Sequence, residues 1–166
     1  MEIIKVFREE IPAMRFIGKR YREFGHWGEW WENGWFDLIE ETMDGVENIL
    51  NIWENGGGYL GLERHGADCG FEYIIGMFAP ENTSVPDGFT AVDFIGADLG
   101  TCWIQGQEDE VHNTSECSEK LAEYGMEIFR DNDGAVWSFE NCLCPRYTTP
   151  DANGNIILDY CHFIKR

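Results

Sequence analysis

Positive charge is scarce in this chain. Twelve Lys and Arg stand against 31 Asp and Glu over 166 residues, a formal net charge of −19 at pH 7. A surface that binds nucleic acid needs a basic footprint, so direct binding to DNA or RNA is not expected. The same balance offers nothing to an anionic membrane, whereas a negative field concentrates cationic ligands. No apolar run reaches the roughly 18 residues that a membrane-spanning helix requires, so no such helix is expected. The first residues, Met1-Glu2-Ile3-Ile4-Lys5, lack a signal-peptide pattern. The expected location is therefore cytoplasmic, with the six cysteines as reduced, mostly buried thiols.

Recognised catalytic and metal-binding spacings are missing as well. None of the cysteines forms a Cys-x-x-Cys pair. Cys142-Leu143-Cys144 has no second thiol or histidine pair nearby, and His26, His65, His112 and His162 show no metal-ligand spacing. No metal and no cofactor are expected. There is no Ser–His–Asp signal, no phosphate loop and no low-complexity segment.

Aromatic residues, in contrast, are plentiful at 14%, with seven Trp. That exceeds the needs of a core of this size and suggests a stacking surface. Residues 3–22 read as extended, interrupted at Pro12. Trp27, Trp30, Trp31, Trp35, Leu38 and Ile39 then recur at helical spacing over 26–43, where Gly34 allows one kinked helix or two short turns. A second short helix is expected over 45–54. Tyr59–Glu63 and Gly70–Phe78 read as a hairpin closed at His65-Gly66-Ala67-Asp68. After a turn-rich connector from Pro80 to Gly88 come strands at 89–95 and 101–106, and a helix over 108–124. The last strands are expected at 134–143 and 156–163.

Two short echoes recur in order. Arg15-Phe16-Ile17-Gly18 is answered by Asp93-Phe94-Ile95-Gly96, and Phe71-Glu72 by Phe139-Glu140. They suggest a duplicated unit. The expected fold is α+β: a tandem strand–helix–strand–strand repeat forming one curved antiparallel sheet, with helices on one face and a central cleft on the other. One domain is expected over 1–166, its first unit at 1–80 and its second at 86–166. A glutamate in a strand core is costly to desolvate unless something offsets it, which marks Glu72 and Glu140 as candidates for function. The plain alternative for Glu140 is a structural carboxylate satisfied by backbone or by Arg146.

The ordered set of motifs resembles the GyrI-like effector-binding family, the ligand domain of multidrug-responsive and AraC-type transcription regulators. The resemblance is carried by Ile11-Pro12-Ala13-Met14-Arg15-Phe16-Ile17-Gly18, Gly70-Phe71-Glu72-Tyr73-Ile74-Ile75-Gly76, Val85-Pro86-Asp87-Gly88-Phe89, Phe139-Glu140 and Pro150-Asp151-x-x-Gly154 before Ile157-Leu158-Asp159-Tyr160. It implies a cleft for hydrophobic, often cationic molecules, with Glu140 as the charge partner and aromatics from the strands and first helix as walls. The candidate ligand-binding residues are Glu140, Trp27, Trp31, Trp35, Tyr73, Trp103, Tyr147, Tyr160 and Glu72. Glu72 is read as structural or at the rim, and Trp137 is a further wall candidate. The last strand has His162-Phe163-Ile164 where many relatives carry an Ile-Pro step, which leaves the face of Tyr160 open. No DNA-binding helix-turn-helix is read in the chain, so operator recognition would fall to a regulator protein as partner. A homodimer is the other macromolecular partner considered. The family also resembles hydrolases of strained cyclopropane-type alkylating compounds. As an enzyme of that kind, the chain would rely on Glu140 and Tyr160.

Overall fold

Side-chain alternation dominates the chain, and the computed structural model, which describes residues 1–166, contains eight strands and four short helices. The strands are β1 (Glu2–Glu9), β2 (Met14–Tyr21), β3 (Leu60–Gly66), β4 (Gly70–Pro80), β5 (Thr90–Phe94), β6 (Ala97–Gly106), β7 (Val136–Asn141) and β8 (Ile156–Lys165). The helices are α1 (Trp27–Asn33), α2 (Trp35–Thr42), α3 (Glu47–Leu50) and α4 (Cys117–Glu123). The strands form one antiparallel sheet in the order β1-β6-β8-β7-β3-β4-β2-β5.

This order reads alike from both ends: β1, β6, β8 and β7 on one side correspond to β5, β2, β4 and β3 on the other. The leading strand of each half is exchanged, because β1 pairs with β6 and β5 pairs with β2. The sequence echoes do not mark the corresponding strands. Glu72 lies on β4 and Glu140 on β7, whose counterparts are β8 and β3. Arg15 and Asp93 are instead direct partners across β2 and β5, ion-paired at 2.7 Å.

Short connections force the sheet to roll up. Only residues 95–96 separate β5, at one edge, from β6, second from the other edge. Six strand spacings would span about 29 Å in a flat sheet, whereas three consecutive peptide links reach only about 11 Å. The sheet therefore curls until its two ends approach, and Phe94 of β5 stacks on Phe163 of β8 with ring centroids 3.9 Å apart. Phe16, Phe78, Phe139, Leu62 and Leu99 share this inner face and are fully buried. Trp53, beyond α3, packs edge-on against Phe78 and donates its indole N–H to Glu9.

The outer face carries α1, α2 and α4. Tyr21, Tyr73, Glu63, Ser138, His162 and Gly100 lie side by side across β2, β4, β3, β7, β8 and β6 and all point outward. The α1 helix reaches this face where the Trp27 indole N–H donates to the Tyr73 hydroxyl, and α4 reaches it where Leu121 fills the space above Gly100. At Gly34 the backbone turns left-handed (φ 63°), which divides the tryptophan-rich stretch into two short helices, α1 and α2. The helix expected over 108–124 begins only at Cys117. Residues 107–113 instead make tight turns, with Glu110 and Val111 N–H both donating to the Gln107 carbonyl. The expected location of the cleft is also reversed: the central strands β3 and β7 stay open on the helix-bearing face, between the two helical layers, because the opposite face is sealed inside the roll.

The inner ring cluster is expected to carry much of the stability. Phe163→Ala should cost about 3–5 kcal/mol, measured by urea unfolding, since Phe163 is fully buried between Phe94 and Phe139.

Candidate functional site

Because β3 and β7 are roofed by neither helical layer, their outward residues floor a hollow. It has a volume of about 360 Å³ and is lined by Phe24, Gly61, Glu63, Tyr73, His112, Thr114, Glu140 and Cys142. Phe24, in the segment before α1, forms one wall, packing edge-on against Tyr73 with centroids 5.0 Å apart. The 107–116 loop brings His112 and Thr114 to the other wall. Three larger surface hollows lack aromatic lining. One is occupied by the ion pairs of Arg8 and Arg166 with Asp98, a second is lined by Asp37, Glu40, Glu41, Asp44 and Gly45, and a third by Asp68, Cys69, Asn132 and Asp133.

Gly61 is required by the site. A Cβ at that position would lie 2.0 Å from the Tyr73 hydroxyl oxygen, so the tyrosine can lie across β3 only over a glycine. Tyr73 accepts the Trp27 N–H at 3.2 Å, which leaves its own O–H to donate. Burial pushes its pKa up to about 12, so it stays a neutral phenol.

Two carboxylates share the floor. Glu140 Oε2 lies 2.9 Å from His112 Nδ1, and His112 Nε2 lies 3.3 Å from the Tyr147 hydroxyl. With Glu140 ionised and accepting, His112 donates from Nδ1 and accepts the Tyr147 O–H at Nε2. Glu63 Oε2 lies 3.1 Å from His65 Nε2. Burial raises the Glu140 carboxyl above its ordinary value. The His112 hydrogen bond opposes that rise, and the negative charge of Glu63 adds to it. Cys142 is pushed up to about 11, chiefly by burial, so its thiol is protonated at neutral pH.

The residues singled out in the sequence divide into three groups. Glu140 and Tyr73 line the hollow, and Trp27 backs Tyr73. Tyr147 stands at the rim through His112. Tyr160 pairs with Glu140 across β7 and β8 and shares its face, but it is buried, donating to Ser138 Oγ at 3.0 Å. The remaining candidates lie elsewhere. Glu72 has the opposite parity to Tyr73, so it points to the inner side, where Arg20, Arg22 and Arg64 surround it at 3.7, 3.4 and 3.2 Å. Trp103 is turned inward for the same reason, under the Arg146 guanidinium and bonded to Asp159. Trp137 is buried on the inner face beside Phe94, beneath Arg64. Trp31 is 59% exposed and packs on Phe36 and Tyr59. Trp35 lies against Lys19, Phe89 and Trp30, because the break at Gly34 turns α2 away from the line of α1. Arg146 is bidentate to Asp159 at 2.6 Å, so the structural partner considered for Glu140 is engaged elsewhere.

Glu63, His112 and Gly61 were not legible as site residues in the sequence. A signal for Glu63 existed in the hairpin: closing it between Gly66 and Gly70 places Glu63 opposite Tyr73. His112 had none, since a helical 108–124 would have carried it away from the strands.

No family model matches the chain, and no curated protein matches it in sequence. Solved structures do share its fold. A candidate bacterial transcription regulation protein from Staphylococcus aureus MU50 aligns over 100% of this chain and 99% of its own, at TM-score 0.57 and 14% identity. SAV2435, solved bound to tetraphenylphosphonium, aligns over 99% of this chain and 94% of its own, at TM-score 0.54 and 16% identity. A hydrolase from Listeria innocua aligns over 99% and 94%, at TM-score 0.50 and 10% identity. At these identities the likeness is one of fold. No helix is long and apolar enough to cross a membrane.

The raised Glu140 carboxyl fixes a pH dependence. The folded state holds this proton at a pH where the unfolded chain has released it. The group's contribution to stability is therefore present in acid, below 4.5, and lost as the pH rises through the raised value. Glu140→Gln escapes that loss. Its melting temperature, relative to the parent, should be more favourable at about pH 7 than at about pH 4; a constant or reversed difference across thermal melts would contradict the assignment.

Proposed function

We propose that the protein is an effector-binding domain of the GyrI-like kind, whose central hollow takes lipophilic cations. The observation that carries this reading is the state of the two floor carboxylates. Glu72, Asp98, Asp131 and Asp159 each meet at least one arginine. Glu63 and Glu140 meet only histidines. The hollow thus holds negative charge without a fixed cation, beside the faces of Phe24 and Tyr73. A delocalised cation would gain ion pairing from the first and cation–π contact of about 0.5–2 kcal/mol per ring from the second. Such a site asks for little directional bonding and tolerates ligands of several shapes. The fold shared with a protein solved with tetraphenylphosphonium is in keeping with this reading, as is the net charge of −19. The mirror order of the strands supports reading the chain as one domain of two related units, 1–80 and 86–166.

Titration with tetraphenylphosphonium, followed by Trp fluorescence, tests the reading. Saturable quenching is expected, with affinity at least about tenfold weaker in Glu140→Gln, equivalent to about 1.4 kcal/mol. Absence of binding, or equal affinity in the variant, would exclude charge pairing at Glu140.

A second reading, hydrolysis of strained alkylating compounds, is favoured by the Glu140–His112–Tyr147 chain. A carboxylate oriented by a histidine can take a proton from water as the water attacks a cyclopropane carbon; the strained C–C bond breaks, its electron pair passes to the compound's own electron-accepting group, and that group takes up a proton. Tyr160, the other catalytic candidate, is buried with its O–H directed to Ser138, so this chemistry would fall to Glu140. Incubation with a cyclopropane-bearing alkylator and mass analysis should then give the water adduct in the parent and not in Glu140→Gln. Intact compound in both would leave binding as the function.

A further inference from the structure

We infer that the hollow is a two-point site, built for ligands that carry two cationic centres about one short alkyl chain apart. This rests on the reading of the site as a cation binder and goes further by naming the ligand class. Glu63 and Glu140 are contributed by β3 and β7, strands in corresponding positions of the two halves of the sheet. Glu63 lies opposite Ser138, and Glu140 is two residues further along the same face of β7. Diagonal neighbours of this kind on adjacent antiparallel strands are about 7–8 Å apart. The two side chains leave the sheet from backbone positions at that spacing, which two ammonium groups joined by about five methylenes can span, one meeting each carboxylate.

The surroundings agree. The Glu63 side chain is 12% exposed and that of Glu140 is 31% exposed, so both are partly withdrawn from water, yet neither has an arginine or lysine. A single cation bound at Glu140 leaves Glu63 uncompensated on the same floor. A second cationic centre, tethered to the first, meets Glu63 at a high effective concentration and neutralises it. Tyr73 stands directly opposite Glu63 across the hairpin, so its ring flanks that end of the path, and Phe24 packs on the ring.

Isothermal titration calorimetry with matched probes tests the inference: pentamethylene-bis(trimethylammonium) against n-pentyltrimethylammonium. Both are titrated at about 0.15 M salt, so that the general negative field of the protein is screened beyond about 8 Å. The dication is expected to bind at least about tenfold more tightly than the monocation, and Glu63→Gln and Glu140→Gln should each bring the ratio close to one. If both probes bind the parent with similar affinity, two-point recognition is overturned while the cation-binding reading stands. If the preference survives in both variants, it comes from the overall charge, and two-point recognition is again overturned. If neither probe binds, and tetraphenylphosphonium does not bind either, both readings fail together.

Discussion

Two residues must carry the chain from one edge of an eight-stranded sheet almost to the other, and this constraint decides most of what the molecule can be. A flat sheet cannot satisfy it. The sheet rolls, and rolling gives its two faces different fates. The inner face closes on itself and must be filled with large apolar side chains, which explains why Phe16, Phe78, Phe94, Phe139 and Phe163 meet there. The outer face bends away from itself, so α1 and α2 on one half and α4 on the other leave the central strands uncovered. The hollow follows from curvature together with the placement of these helical layers.

Charge is distributed according to the same division. The acids turned inward or toward the ends of the strands are tied by arginine: Glu72 by three, Asp98 by two, Asp159 by a bidentate Arg146. Desolvated carboxylates need such partners, because an unpaired buried charge costs several kcal/mol. The two acids on the open floor are given histidines instead, whose charge is not fixed. A chain with only 12 basic residues has assigned several of them to structural acids and none to the hollow.

Much of the architecture was legible in the sequence, and the failures have identifiable physical causes. Alternation located every strand, and the hairpin of β3 and β4 was marked by its turn. Alternation also assigns a residue to a face, but it does not say which face is inside once the sheet curls, so the cleft was expected on the wrong side. The repeated Phe-Glu pairs suggested duplication from strands that do not correspond. Glu72 and Glu140 therefore looked alike, although one sits among arginines and the other on the floor. The tryptophan stripe is compatible with one kinked helix or two short turns. A left-handed Gly34 splits it, and with it the expected set of wall residues, leaving Trp27 alone against Tyr73. The 107–116 loop was hidden because its composition suits a helix start; its turns are held by hydrogen bonds to Gln107 and Glu110 carbonyls that no periodicity reveals.

The exchanged leading strands have a consequence for how the molecule can respond to a bound ligand. With β1 built into the second half and β5 into the first, the halves interlock like clasped hands. Opposite the β3–β7 seam, the short links at residues 10–13 and 95–96 tie one half to the other and restrain any swing. Wide opening at the seam therefore strains both links, and a ligand in the central hollow acts more readily on the side chains and the 107–116 loop that line it.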